Sequence, residues 1–277
     1  MPLADLFLEI EKPEVTKVTN LVVASNPILD TTAIRNFVFT TKKPPPTLNK
    51  IYRVHEVLRL CPREEVIRYL KKIPIVEQYD IQTLYNFAVG NALHDMLREQ
   101  ILGPMQVLEG HWECRVCRHT TKIGLMPQVC QKCKVEGYDN FKFVEPRYEH
   151  GFVACHPDGI LFYEGVRRLI EFKTISDRGF AKLLKPSAEH ERQVQMYMEL
   201  SGFSECVVVY IRKGVLVADG VLQFKVYVVK KNSFVVMPLL RRVEETKAAM
   251  RARKPPLIDG CTTQRSCKFG ECRTEGF

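Results

Sequence analysis

The sequence predicts an α/β protein with a mixed central sheet flanked by helices. Three observations predict this. The middle of the chain reads helix, three short β-rich runs, helix, then two more β-rich runs. Hydrophobic residues make up 45% of 277 residues, enough for a sizeable core rather than a disordered chain. Four of the ten cysteines fall in two C-x2-C units, a spacing that favours bound metal in a reducing compartment over a disulfide scaffold.

Each element has a local reason. Residues 1–50 form an N-terminal segment with no assigned role; Val18 to Val23 is strand-like, and Thr40 to Pro46 reads as an extended linker because of its three prolines. Residues 51–70 read as helix, with Pro62 starting a new helix or kinking the first. A longer helix is expected from about Ile81 to Ile101. Asp80 is its N-cap, Leu93, Met96, Leu97 and Ile101 form its apolar stripe, and Gly103-Pro104 ends it. Residues 110–140 read as a small module of their own. Strands follow at 151–155, 159–164 and 167–174, with Asp158 and Gly165 at the turns. Ser187 caps a helix that stops at Gly202, Cys206 to Ile211 and Leu222 to Val229 are strands, and a charged helix covers about 237–253 before Pro255-Pro256 and a cysteine-rich tail.

Composition narrows the function classes. A net charge of +9 and a pI near 9.0 suit a polyanionic partner. No run of about 18 apolar residues is present, so no membrane-spanning helix is expected. Met1-Pro2-Leu3-Ala4-Asp5 lacks the basic start of a secretory signal, which makes a cytoplasmic location the expectation.

The chemistry concentrates in Pro157-Asp158, then, after twelve residues, Glu171-Phe172-Lys173. Glu171 and Lys173 are two apart on a strand and share a face, while Phe172 points into a core. Asp158 begins the neighbouring strand and can approach that face. Two carboxylates supply the oxygen ligands that Mg2+ or Mn2+ prefers. Such an ion lowers the pKa of bound water and offsets charge on a phosphate, and Lys173 can orient the water or stabilise the transition state. An E-x-K alone is usually an exposed strand face. Two further elements add weight. Gly90-Asn91-Ala92-Leu93-His94 lies on the long helix, where Gly90 allows a close approach and His94 can give a nitrogen ligand; His156 competes with it for that role. Gln193 and Tyr197, one helical turn apart, share a face and can hydrogen-bond phosphate or a base.

Cys114, Cys117, Cys130 and Cys133 form two C-x2-C pairs separated by twelve residues, the pattern of a zinc ribbon closed by four thiolates. So small a module draws much of its folding energy from Zn2+. Arg115, Arg118, His119, Lys122 and Lys132 surround the knuckles and give them a secondary DNA-contact role. Cys155 and Cys206 read as small buried core residues.

The ordered set of G-x-x-x-H at 90–94, PD at 157–158, E-F-K at 171–173 and Q-x-x-x-Y at 193–197 resembles the RecB-like, Cas4-like branch of the PD-(D/E)XK nuclease superfamily, over roughly residues 50–275. The resemblance implies a restriction-endonuclease-like core over 51–277, with the zinc ribbon at 110–140 inserted in it. It implies that His94, Asp158 and Glu171, with the Phe172 carbonyl, hold Mg2+ or Mn2+, that Lys173 is the catalytic lysine, and that Gln193 and Tyr197 contact DNA. Cys61 with Cys261, Cys267 and Cys272 resembles the [4Fe-4S] arrangement of Cas4, AddB and Dna2 nucleases, in which the tail at 255–277 is pinned to the N-terminal helices. The last three cysteines are spaced C-x5-C-x4-C where that family has C-x2-C-x5-C, and four thiolates can also hold a second zinc. The implied activity is metal-dependent hydrolysis of DNA, as an exonuclease on single strands or ends. The alternatives are an adaptor of DNA recombination or CRISPR adaptation with a vestigial nuclease core, and a site-specific endonuclease. Partners in a DNA-processing complex, a homo-oligomer, and a host-cytoplasm location for a phage-encoded chain fit the same resemblance.

Overall fold

The computed structural model describes residues 37–213, 222–257 and 269. Cys261, Cys267, Cys272 and the Val18–Val23 run lie outside these residues. The chain starts with β1 (Val38–Lys43), β2 (Tyr52–Arg53), α1 (Val54–Arg59) and α2 (Pro62–Lys71). Pro62 takes the first turn of α2, where its missing N–H costs nothing, and Cys61 is the N-cap. Then come β3 (Ile75–Asp80) and α3 (Ile81–Asp95), with Asp80 accepting the Thr83 N–H at 2.7 Å as the N-cap. From Met96 to Leu102 the helix loosens into a π-helical turn, closed by the Gly103 N–H to the Arg98 carbonyl at 3.0 Å.

The extended linker expected at Thr40–Pro46 is half strand. β1 pairs antiparallel with β3, from Val38 opposite Asp80 to Lys43 opposite Ile75, and only the prolines lie beyond it. The β-branched threonines favour the ladder, which Pro44 ends because it has no N–H to give.

The remaining elements are β4 (Leu108–Cys114), β5 (Gly124–Leu125), β6 (Phe141–Val144), β7 (Tyr148–His150), β8 (Val153–Cys155), β9 (Gly159–Tyr163), β10 (Val166–Ile175), α4 (Asp177–Lys182), α5 (Ala188–Ser201), β11 (Glu205–Arg212), β12 (Phe224–Lys230) and α6 (Ser233–Ala252). Seven strands form the main sheet, in the order β12-β11-β10-β9-β4-β5 with β6 also on β4. β10 and β11 run parallel and their other partners antiparallel, so the sheet is mixed. The parallel pair needs a crossover, which α4 and α5 provide.

Strand alternation divides the interior. Leu169, Cys206, Val208 and Tyr210 pack beneath α1, α5 and α6 with Val57, Val194, Met198 and Val243. Ile170, Phe172, Val207, Val209 and Ile211 face the other way, against Leu97, Leu102, Trp112 and Phe141. Cys114 and Cys130 belong to this second core, so residues 110–140 share their interior with the main sheet rather than standing apart from it. β4 serves both, pairing β9 at Leu108–Glu109 and β6 from His111 to Cys114.

Two contacts fasten distant parts of the chain. The buried Lys247 ammonium on α6 donates to the carbonyls of Thr47 (3.1 Å), Leu48 (2.8 Å) and Lys50 (2.8 Å), between the rings of Tyr52 and Phe152. Phe269 packs on Ile67 of α2 with the Arg68 guanidinium 4.4 Å from its ring. Among the described residues no helix is long and apolar enough to cross a membrane.

Candidate active site and cysteine centre

The hairpin of β9 and β10 brings the two halves of the motif together. Gly159 lies opposite Ile170, so Asp158, one step earlier, reaches Glu171 across the pair. Gly159 is required by closeness: a Cβ there would meet a Leu108 methyl at 2.6 Å. Glu171 and Lys173 leave β10 on the α5 side, while Phe172 enters the second core. Asp158 and Glu171 are each only 5% exposed.

The Asp158 carboxylate is held at both oxygens. Oδ2 accepts the Phe172 N–H at 2.7 Å, and Oδ1 lies 3.3 Å from His94 Nδ1 and 3.3 Å from an Arg98 nitrogen. Burial opposes its charge, but the hydrogen bond and charge of His94, the Arg98 guanidinium and the Phe172 N–H outweigh burial and keep the carboxyl below the usual carboxylate range. Glu171 goes the other way. Burial, with a contribution from Asp158, pushes it up to about 7 although Lys173 pulls it down. Burial disfavours the Lys173 ammonium, but Glu171 more than offsets this and raises it above its ordinary value, so it is charged at neutral pH.

Gln193 ties the centre to α5. Lys173 Nζ donates to Glu171 Oε1 at 2.7 Å and to Gln193 Oε1 at 2.8 Å. The Gln193 amide then donates to Glu171 Oε1 at 3.2 Å and to the Tyr197 hydroxyl at 2.6 Å. In this structure Gln193 and Tyr197 therefore face the Glu171–Lys173 pair itself. His94 packs edge-on against the Phe172 ring at 5.6 Å, and Gly90 lets α3 come down on β10, where a Cβ would stand 3.3 Å from Thr174 Oγ1. Of the two histidines weighed from sequence, His94 is the one on Asp158. His156 lines clefts beside Glu145 instead, with burial holding its imidazole below the ordinary value.

Three groups at the site went unread in the sequence. Arg98 follows His94 by four residues, a spacing that puts both on one helical face and could have revealed it. Glu145, which accepts from Arg98 at 2.8 Å, has no local signal. His190 on α5 meets the Tyr210 hydroxyl at 2.8 Å, and burial followed by the charge of Lys173 lowers its imidazole to about 4, leaving it neutral.

His94, Asp158 and Glu171 fit a hard divalent cation by donor type: two buried carboxylates, one of them short of positive charge, beside an imidazole. Their donor atoms are not drawn as close as those of the cysteines. Among the described residues, only Cys114, Cys117, Cys130 and Cys133 form a group with all donor atoms within 4.8 Å of one another. Cys114 and Cys133 sulfurs are 3.7 Å apart and those of Cys117 and Cys130 3.6 Å. A tetrahedron with Zn–S of about 2.3 Å has edges of about 3.8 Å, which these match. The two knuckles repeat one turn. Arg118 and Lys134 return their N–H groups to the Cys114 and Cys130 carbonyls at 2.8 and 2.9 Å, both with left-handed φ, 60° and 62°. Cys155 and Cys206 are buried, and burial pushes the Cys155 thiol up to about 12.

No protein-family model matches the chain. No curated protein matches it either. Among solved structures it is similar to an alkaline exonuclease, LHK-Exo, from Laribacter hongkongensis, at 15% identity and a TM-score of 0.42 over 74% of this chain and 89% of that one. The complex of that enzyme with dAMP gives 16% and 0.42 over the same shares, 74% and 89%. A phage-related exonuclease from Haemophilus somnus 129PT matches at 14% identity and a TM-score of 0.28, over 39% of this chain and 58% of that one. Likenesses this loose carry no functional weight, which falls on the side chains.

Proposed function

We propose that this chain is a divalent-metal-dependent nuclease of PD-(D/E)XK type that hydrolyses phosphodiester bonds of DNA, acting as a Cas4-like exonuclease on single strands or DNA ends. The observation that carries the reading is the buried Asp158–Glu171–Lys173 constellation cross-linked by Gln193. Paired buried carboxylates beside a charged lysine are costly to a fold and are rarely kept without a cation to bind.

His94, Asp158, Glu171 and the Phe172 carbonyl would hold the Mg2+ or Mn2+ ion, which when bound supplies an activated water and offsets charge on the phosphate. The chain's own residues do the rest. Asp158 is kept ionised by His94, Arg98 and the Phe172 N–H, ready to act as an anionic ligand. Lys173 is held between Glu171 and Gln193, so its ammonium faces charge that develops on the phosphate without having to reorganise. Tyr197 holds the Gln193 amide in the orientation that accepts from Lys173. The cysteine centre of the ribbon takes Zn2+. In the second cysteine group, Phe269 packs on α2, whose N-cap is Cys61, which supports a tail folded back towards a [4Fe-4S] centre.

End-labelled single-stranded, blunt and circular DNA incubated with Mg2+ or Mn2+ tests the reading. Shortening of linear strands that is lost in Lys173→Ala, by on the order of 10²–10³ in rate, is expected. No cleavage of any DNA, or equal cleavage by the variant, would refute it. The visible spectrum of anaerobically purified protein separates iron–sulfur from a second zinc, because only the former absorbs there.

A further inference from the structure

The Arg98 guanidinium gathers three carboxylates from three parts of the chain. It meets Asp95 of α3 at 3.1 Å, Glu145 between β6 and β7 at 2.8 Å, and Asp158 ahead of β9 at 3.3 Å. Its Nε–H reaches back to the His94 carbonyl at 3.3 Å, and the group lies 5.4 Å from the Phe143 ring. The side chains of Arg98 and Asp158 are each only 8% exposed, so their contact is not a loose surface pairing, whereas Asp95 and Glu145 reach the surface. The π-helical turn sets Arg98 between Asp158 and a cleft of about 710 Å³ lined also by Asn91, His111, Lys142, Arg147 and His156. Arg98 takes up Asp95 and Glu145, both of which also line this cleft.

In a two-ion phosphodiesterase a second metal ion stands about 3.5–4 Å from the first, and carboxylate oxygens are the ligands such a hard cation takes. We propose that the Arg98 guanidinium fills the seat of that second cation, so that the centre takes a single divalent ion and the other positive charge is built into the chain. The inference rests on the nuclease reading for its first ion. Arg98 thereby acts as a positioning residue: it keeps Asp158 charged and aimed, and puts a fixed positive group on the cleft side of the centre. A guanidinium cannot be deprotonated at working pH and does not leave with product, so this charge stays constant through turnover.

Mn2+ titration of the zinc-loaded protein without DNA, with free ion counted by electron paramagnetic resonance, tests this directly. Wild type should bind one Mn2+ per chain, lost in Glu171→Gln. Arg98→Gln should bind two, because Asp95, Glu145 and Asp158 are released together, and Arg98→Lys, which keeps the charge, should return to one. Two ions on wild type, or one on a folded Arg98→Gln, would overturn the inference and leave the nuclease reading standing. No carboxylate-dependent Mn2+ on wild type would overturn both. The wild-type count holds whether or not Arg98→Gln folds.

Discussion

At the residue scale the site runs on a division of labour between two buried carboxylates. Asp158 has its counter-charges in place and stays ionised; Glu171 lacks enough of them and holds a proton up to about pH 7. In metal-free protein, folding retains a proton on Glu171 that the unfolded chain gives up near its ordinary 4.5. The stability this contributes is full below that value and is lost as pH rises through about 7, on the order of 3 kcal/mol in all. The depressed carboxyl of Asp158 acts oppositely, and only as pH falls below the usual carboxylate range. With Zn2+ on the cysteines but no Mg2+ present, wild type should therefore lose more thermal stability than Glu171→Gln between pH 5 and 8, and added Mg2+ should restore more of it at pH 8. Parallel pH profiles for the two proteins would contradict this. Local spacing made much of this site readable. Glu171 and Lys173 share a face by strand alternation, and Gln193 and Tyr197 by helical periodicity. Arg98 had a local signal in its four-residue spacing from His94, whereas Glu145 had none, because it meets Arg98 only when separate segments fold together.

At the element scale the ribbon is part of the main core rather than an attachment. Trp112, the only tryptophan, is fully buried on β4; its indole N–H donates to the Gly124 carbonyl at 3.0 Å, and its ring meets Phe143 edge-on at 4.9 Å. The same core holds Phe172, whose N–H fixes Asp158. Glu99 adds a direct strut: it accepts the Phe143 N–H at 2.9 Å and pairs with Arg115 of the first knuckle at 2.5 Å. Zinc removal, or Cys117→Ser, should red-shift Trp112 emission and lower DNA cleavage together, tracking the metal released. Intact cleavage after complete zinc loss would show that the ribbon is independent of the site. The C-x2-C spacing announced the four-cysteine cluster, but nothing local showed that it shares the main core, since that depends on β4 pairing with both β9 and β6. β3 also went unread: it is a six-residue strand whose partner among the described residues, β1, was hidden behind three prolines.

At the scale of the whole molecule, Lys247 fastens the two ends of the described chain. One ammonium satisfies three carbonyls of the segment before β2 and lies between two aromatic rings. Lys247→Met keeps the volume but strands those carbonyls, and should cost about 2–4 kcal/mol, read as a lower urea midpoint at unchanged slope. An unchanged midpoint would mean that water replaces the ammonium without loss. From residue 151 onward most helices and strands could be read along the chain, whereas this closure could not, because a buried lysine has no periodic signature.

The same closure bears on timing. Its hydrogen bonds join residues 197 to 200 positions apart, a separation that makes them late to form in folding. A ribosome lays down nearly all of the β-sheet before α6 emerges to lock the first helices against it. Until then Gln193 and Tyr197 on α5 lack the α6 packing that steadies them over Glu171 and Lys173. A nascent chain would thus carry its acidic and basic groups through synthesis before the Glu171–Lys173–Gln193 cluster is braced, and the cluster would be completed only as the last long helix docks.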